Sequence, residues 1–166
     1  MPQKGRLKTD SFWYRYIYPK NLTLFCKEKL VAPEISLGGN FSYDEKGEFY
    51  STTTIYGYVK KEAVLVSYKS LMAILNSKLC WWYLMNTGTV LANGYFRYKP
   101  NYINPFPFPI ITKEASEKLD KLVNEIYTSR QNKANSNVPQ LEKKIDFIVY
   151  KLYNLTLEEI ELINNN

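Results

Sequence analysis

The sequence contains no histidine. That excludes imidazole acid–base chemistry, serine or cysteine triads of the usual kind, and histidine metal sites from this chain. Cysteine is scarce: Cys26 and Cys80 lie in apolar or mixed surroundings without CxxC spacing. They read as two free thiols in a reducing compartment, so a cytoplasmic location is expected. No run of eighteen apolar residues occurs, which predicts no transmembrane helix. The opening MPQKGRLKTD lacks the apolar core of a secretory signal. The P-loop pattern and GxGxxG are absent, and Gly38-Gly39 alone is too little for a phosphate cradle. Acidic residues do not gather in a cluster suited to magnesium. Glu28, Glu34 and Asp44 are scattered among lysines, where ion pairing is their expected role. Asn104-Pro105-Phe106 stops one proline short of an Asn-Pro-Pro-aromatic motif. The chain has binding equipment without a catalytic constellation.

What is present is apolar, aromatic and basic. A hydrophobic content of 45% over 166 residues is enough for a substantial core. The net charge of +6 is uneven. Residues 1–111 hold 14 Lys and Arg against 7 Asp and Glu, and 12 of the 15 tyrosines. Residues 112–166 hold 8 cations against 9 acids. A basic, tyrosine-rich body with a nearly neutral tail points to an anionic partner for the body. A basic surface kept for solubility is the plainer alternative.

Periodicity divides the chain into a β-rich body and a helical tail. Phe12 to Tyr18 alternates like a strand and ends at Pro19. Lys29 to Ser36 reads as a strand interrupted by Pro33, at a sheet edge or a bulge. Phe41-Ser42-Tyr43 and Glu48-Phe49-Tyr50 flank Asp44 to Gly47, which predicts a hairpin. Ser51 to Thr54 fits either a strand or a loop. Ile55 to Val59 is a further strand. From Lys69 to about Met85 the period becomes helical: Leu71, Leu75, Leu79 and Trp82 form a stripe, with Asn76 and Lys78 off it. Gly88 is placed to end that helix. Trp81 and Trp82 cannot both face one way, so one belongs to the core and the other to its flank. After the Asn93-Gly94 turn, Tyr95, Arg97 and Lys99 alternate with Phe96 and Tyr98. Prolines at 100, 105, 107 and 109 predict an extended exit from the body. In the tail, Thr112 is a helix N-cap, Asn137 with Gln140 resembles a capping box, and Thr156 to Glu159 forms another. The expected fold is α+β: a mostly antiparallel sheet with a packed helix in a body spanning 1–111, then a helical hairpin over 112–166.

Leu75-Asn76-Ser77-Lys78-Leu79, Trp82-Tyr83, Gly88, Gly94-Tyr95-Phe96-Arg97-Tyr98-Lys99, Tyr102 and Phe106-Pro107-Phe108-Pro109 follow one another in that order. Together they resemble the C-terminal specificity domain of TaqI-like adenine-specific DNA methyltransferases, including type II restriction enzymes with a fused nuclease. Ala32 to Ser36 and Phe41 to Gly47 sit where that family has a similar strand and hairpin. Ile145 to Thr156 resembles the helices that close many such enzymes, so the resemblance runs over roughly 12–163. It implies a target recognition domain for double-stranded DNA in a restriction-modification system. Methylation would fall to a separate methyltransferase domain, in the same or a partner chain, which would also hold the S-adenosylmethionine. No cofactor is implied for this chain, nor activity on its own.

Lysine and arginine neutralise phosphates, while directed bonds to base edges specify sequence, arginine suiting guanine and asparagine adenine. The candidate DNA-binding residues are Arg97, Lys99, Lys78, Asn40, Arg15 and Tyr95. For Arg97 a structural salt bridge competes with a DNA contact, and the resemblance itself favours a structural or backbone role. The irregular loops 36–40 and 51–54 are better placed for base readout. Two rival classes fit the same composition: a protein- or oligosaccharide-binding module, and a single-strand binder that stacks bases on aromatics.

Overall fold

In the computed structural model, residues 21, 23–51, 53–133 and 137–165 are described. The strand expected over Phe12 to Tyr18, with Arg15, lies outside them. The architecture is α+β, 49% helix and 12% strand. β1 (Lys29–Pro33) is the middle of a three-stranded antiparallel sheet, between β3 (Ser42–Asp44) and β4 (Ile55–Tyr58). Leu30 lies opposite Tyr43 on one side and Tyr58 on the other. Pro33 closes β1 opposite Ile55, and the chain then leaves this sheet. Glu34 is the joint: its N–H donates to Thr54 O at 2.7 Å, and its carbonyl accepts from Tyr98 N at 2.8 Å. β2 (Ile35–Ser36) therefore pairs with a different partner, β5 (Phe96–Arg97). The interruption expected at Pro33 is a change of sheet, and β1 is central rather than an edge.

The hairpin expected between 41–43 and 48–50 does not form. β3 pairs with β1 instead, and among the described residues 48–50 carry no strand. The Asp44 carboxylate organises the turn, accepting the Glu48 and Phe49 N–H groups at 3.0 and 3.1 Å. Residues that saturate a buried carboxylate are not free to continue a ladder.

The single helix expected over 69–85 is two. α1 (Tyr68–Leu75) ends at Asn76, and α2 (Lys78–Thr87) starts after Ser77. Ser77 has extended φ/ψ, and its hydroxyl accepts from Cys80 N, which is N-cap geometry. Asn76 is withdrawn from the helix because its side chain holds the backbone of Phe41, Oδ1 accepting from N and Nδ2 donating to O, both at 2.8 Å. The apolar period runs through this break because both helices bury the same side. Gly88 does cap α2, with its N–H on Leu84 O at 2.7 Å. Trp81 and Trp82 are both half-buried, so neither is the core residue. The exit after the body is also not simply extended: Pro100 stands at the first position of a one-turn helix, α3 (Pro100–Ile103), where a missing N–H costs nothing.

The tail forms α4 (Lys113–Gln131), α5 (Val138–Leu152) and α6 (Leu157–Asn164). Thr112 caps α4, and Thr156 with Glu159 makes a complete capping box. Asn137 does not: it has helical φ/ψ and makes no side-chain cap bond. Pro139, early in α5, supplies the fixed φ that begins this helix instead. α4 packs on both α1 and α5. One buried cluster runs from Leu30 and Phe41 through Ile74 and Leu84 to Leu119 and Val149, all at most 4% exposed. A polar seam joins α1 to α4, where Asp120 accepts from the hydroxyls of Ser67 and Ser70 at 2.5 and 2.7 Å. No described helix is long and apolar enough to cross a membrane.

Candidate nucleic-acid interface

The second, smaller sheet carries the exposed face of interest. Ile35 lies opposite Arg97 and Ser36 opposite Phe96. Leu37 and Tyr95 are the next residues beyond these pairs, just outside the two strands. Opposed residues share a face. Ile35 and Arg97 therefore point one way and Ser36 and Phe96 the other, and exposed Leu37 and Tyr95 flank the outer pair. Exposure follows this division. Ile35, Leu37 and Tyr95 are 46%, 59% and 40% exposed, whereas Ser36 is buried and Phe96 meets Trp81 edge-on at 5.4 Å.

β5 also pairs back along its own hairpin, with a bridge between Val90 and Phe96 and a bond from Leu91 N to Tyr95 O at 2.6 Å. The turn places Asn93 at φ 62° and Gly94 at φ 75°. The three-residue loop 92–94 thus has positive φ at its last two positions, which asparagine and glycine adopt most readily. The outcome is a narrow antiparallel ribbon with an exposed tip.

Loop 36–41 is held to the body from three sides. The Tyr98 hydroxyl donates to Gly38 O at 2.8 Å, and Tyr58 donates to Tyr98 O at 3.2 Å. Tyr98 is 1% exposed, and burial pushes its phenol well above the ordinary tyrosine range, so it remains a donor. Asn76 grips the Phe41 backbone at the far end of the loop. Gly39 lies against the backbone of Asn76, where a Cβ would come within 2.7 Å of Asn76 Cα. Only glycine allows that approach. The LNSK and GYFRYK stretches thus supply the frame through Asn76 and Tyr98, while the loop and ribbon they hold present side chains outward.

The candidate residues divide accordingly. Tyr95 is exposed near the ribbon tip. Arg97 is on the face of Ile35, 35% exposed, with Nη1 3.2 Å from Glu34 Oε1. Asn40 is exposed, but its amide turns inward to Ser36 Oγ and toward Gly38 O, bracing the loop. Lys99 is the residue before α3, its carbonyl accepting from Tyr102 and Ile103. Its ammonium has no carboxylate partner among the described residues. Lys78 is elsewhere: its N–H donates to Asp146 at 2.8 Å and its Nζ to Asn164 at 3.0 Å, beside α5 and α6. The structure thus gathers Tyr95 and Arg97 on the small sheet beside loop 36–40, and places Lys78 in a different cleft, which Gly39 and Asn40 of that loop also line. In loop 51–54, Thr54 holds the Glu34 N–H, Ser51 Oγ contacts Ile55 O at 3.4 Å, and residue 52 is not described. Ile35 is absent from the sequence expectations, and Leu37 enters them only as part of loop 36–40. Their signal is the alternation Glu34-Ile35-Ser36-Leu37, which the expectation of one strand through Pro33 conceals.

Several cations of the body have internal tasks. Lys29 is buried against Asp44, and Lys60 donates to Val66 O and lies over the Tyr68 ring. Residues 1–20 carry five of the body's fourteen cations and one acid. Among the described residues no group of three or more cysteine, aspartate or glutamate side chains could hold a metal ion.

An exposed ribbon of aromatic, aliphatic and guanidinium groups, fixed on a rigid frame, is the equipment of a recognition module. The chain belongs to the TaqI-like C-terminal specificity domain family, whose model matches residues 3–108. This is a family of DNA-recognition domains of restriction-modification enzymes, a specificity domain rather than a catalytic one. The match covers the frame, ribbon and loop and ends before α4, so the likeness expected for the closing helices lies beyond it.

Proposed function

We propose that the chain reads a specific sequence in double-stranded DNA and positions it for a separate adenine methyltransferase domain that supplies S-adenosylmethionine. The body, 1–111, is the target recognition unit, and 112–166 is the helical segment packed on it. The observation that carries this reading is the exposed surface of Ile35, Leu37, Tyr95 and Arg97, lying within the residues matched by the family. A two-stranded antiparallel ribbon fits the major groove, where each base pair presents a distinct pattern. Leu37 and Ile35 offer apolar contact for thymine methyl groups. Arg97 offers a guanidinium, partly exposed beside Glu34. Lys99, and Arg15 in the basic N-terminal segment, are assigned to phosphates.

Binding of duplex and single-stranded oligonucleotides across a salt series tests this. Duplex affinity that falls steeply with salt, with single strands bound more weakly, is the expected result. Preference for single strands by the folded chain would support base stacking instead and overturn the proposal.

A further inference from the structure

The helical tail is nearly neutral as a whole, but its charges are not evenly disposed. The acids are largely engaged. Glu114 pairs with Lys118, Glu117 with Lys113 and Glu142 with Arg130. Asp120 is occupied by the hydroxyls of α1, and Asp146 by the Lys78 N–H. Lys121, Lys143, Lys144 and Lys151 are left without a carboxylate partner among the described residues. Three of these four line one groove of about 540 Å³ between α4 and α5. Lys118 joins them, and the only acid in the lining is Glu125. Phe147 forms part of the wall, 57% exposed, with Lys151 Nζ 4.3 Å from its ring centre. Three lysines without carboxylate partners beside one glutamate in an open groove attract an anion.

We propose that this groove holds the sugar–phosphate backbone of DNA flanking the recognised site, with Lys121, Lys143 and Lys144 binding the phosphates. The inference rests on the duplex-reading function above and extends it to residues beyond the matched 3–108 segment. Lysine suits this task because its ammonium is a point charge without the planar demands of arginine. Such binding adds affinity and register without sequence information. The tail then serves as a second grip on the duplex, besides packing on the body.

The test uses the full chain and duplexes that carry a motif enriched from a random pool, with short or long flanks. The triple variant Lys121→Ala, Lys143→Ala, Lys144→Ala is compared with a charge-matched control, Lys46→Ala, Lys113→Ala, Lys133→Ala. Every phosphate that is no longer neutralised reduces the salt slope by about 0.9. For three such phosphates the groove variant is expected to lower the slope by about 2.7. It should also forfeit the affinity gained from long flanks and keep its preference among sequences. Thermal unfolding and circular dichroism confirm that both variants fold. A groove variant indistinguishable from the control overturns this inference and leaves the duplex-reading function intact. Failure of the wild-type chain to bind any duplex overturns both.

Discussion

Replacing Lys29 by alanine is expected to destabilise the chain by about 3–5 kcal/mol, the cost of leaving one member of a buried ion pair alone. Lys29 and Asp44 have side chains 3% and 2% exposed, on paired positions of β1 and β3. Lys29 also donates to Phe25 O at 2.7 Å, and Asp44 accepts two backbone N–H groups. The pair therefore fixes three chain segments around the edge of the larger sheet. Burial by itself would push the Asp44 carboxyl up. The Lys29 ammonium and the N–H groups of Phe49 and Glu48 outweigh this, and its pKa falls below the ordinary value. A carboxyl with a lowered folded pKa contributes stability that is present above its unfolded pKa and is lost as pH falls through the folded one. In Lys29→Ala the ammonium is gone and the folded pKa rises, so the stability that this carboxyl contributes near neutral pH is lost and the deficit relative to wild type narrows as pH falls through the Asp44 range. Urea unfolding at several pH values measures both effects. Lys29→Met with Asp44→Asn should recover part of the stability, since no unpaired charge is then buried.

The second large effect concerns the ribbon. Tyr95→Ala and Arg97→Met are each expected to weaken specific duplex binding by roughly 5- to 150-fold, equivalent to about 1–3 kcal/mol for a directed base contact. Arg97 allows its two roles to be separated. If it serves only to brace Glu34, then Glu34→Gln and Arg97→Met have the same small effect on folding and none on binding. If it contacts DNA, Arg97→Met weakens binding while Glu34→Gln, which frees the guanidinium from a partly exposed carboxylate, does not. The expected pattern is the second. Unfolding of both variants should stay within about 1 kcal/mol of wild type, because a partly exposed ion pair contributes little.

The sequence reveals the fold class and most of the elements, but not their pairing. The apolar period in 69–85 is genuine, yet it passes through two helices. A stripe reports which side is buried and is silent on a side chain such as Asn76 that leaves the helix to bind a distant backbone. Asp44-Glu45-Lys46-Gly47 has turn composition, and the turn is there. Its flanks do not pair because Asp44 takes their N–H groups and β1 offers β3 a longer partner. The face of the ribbon is half legible. Alternation after Asn93-Gly94 separates Tyr95 and Arg97 from the buried Tyr98. Ile35 becomes visible only with the register of β2 on β5, a pairing between segments far apart in the chain. Asn40 and Lys78 stand out by residue type, and residue type does not show that a side chain is already engaged at home.

Selection of bound sequences from a random duplex pool tests the central claim most directly. The wild-type chain, at moderate salt, is expected to enrich one short motif, and Tyr95→Ala or Arg97→Met to relax individual positions within it. A folded wild-type chain that binds duplex yet enriches no motif would contradict the assignment of this face to sequence readout.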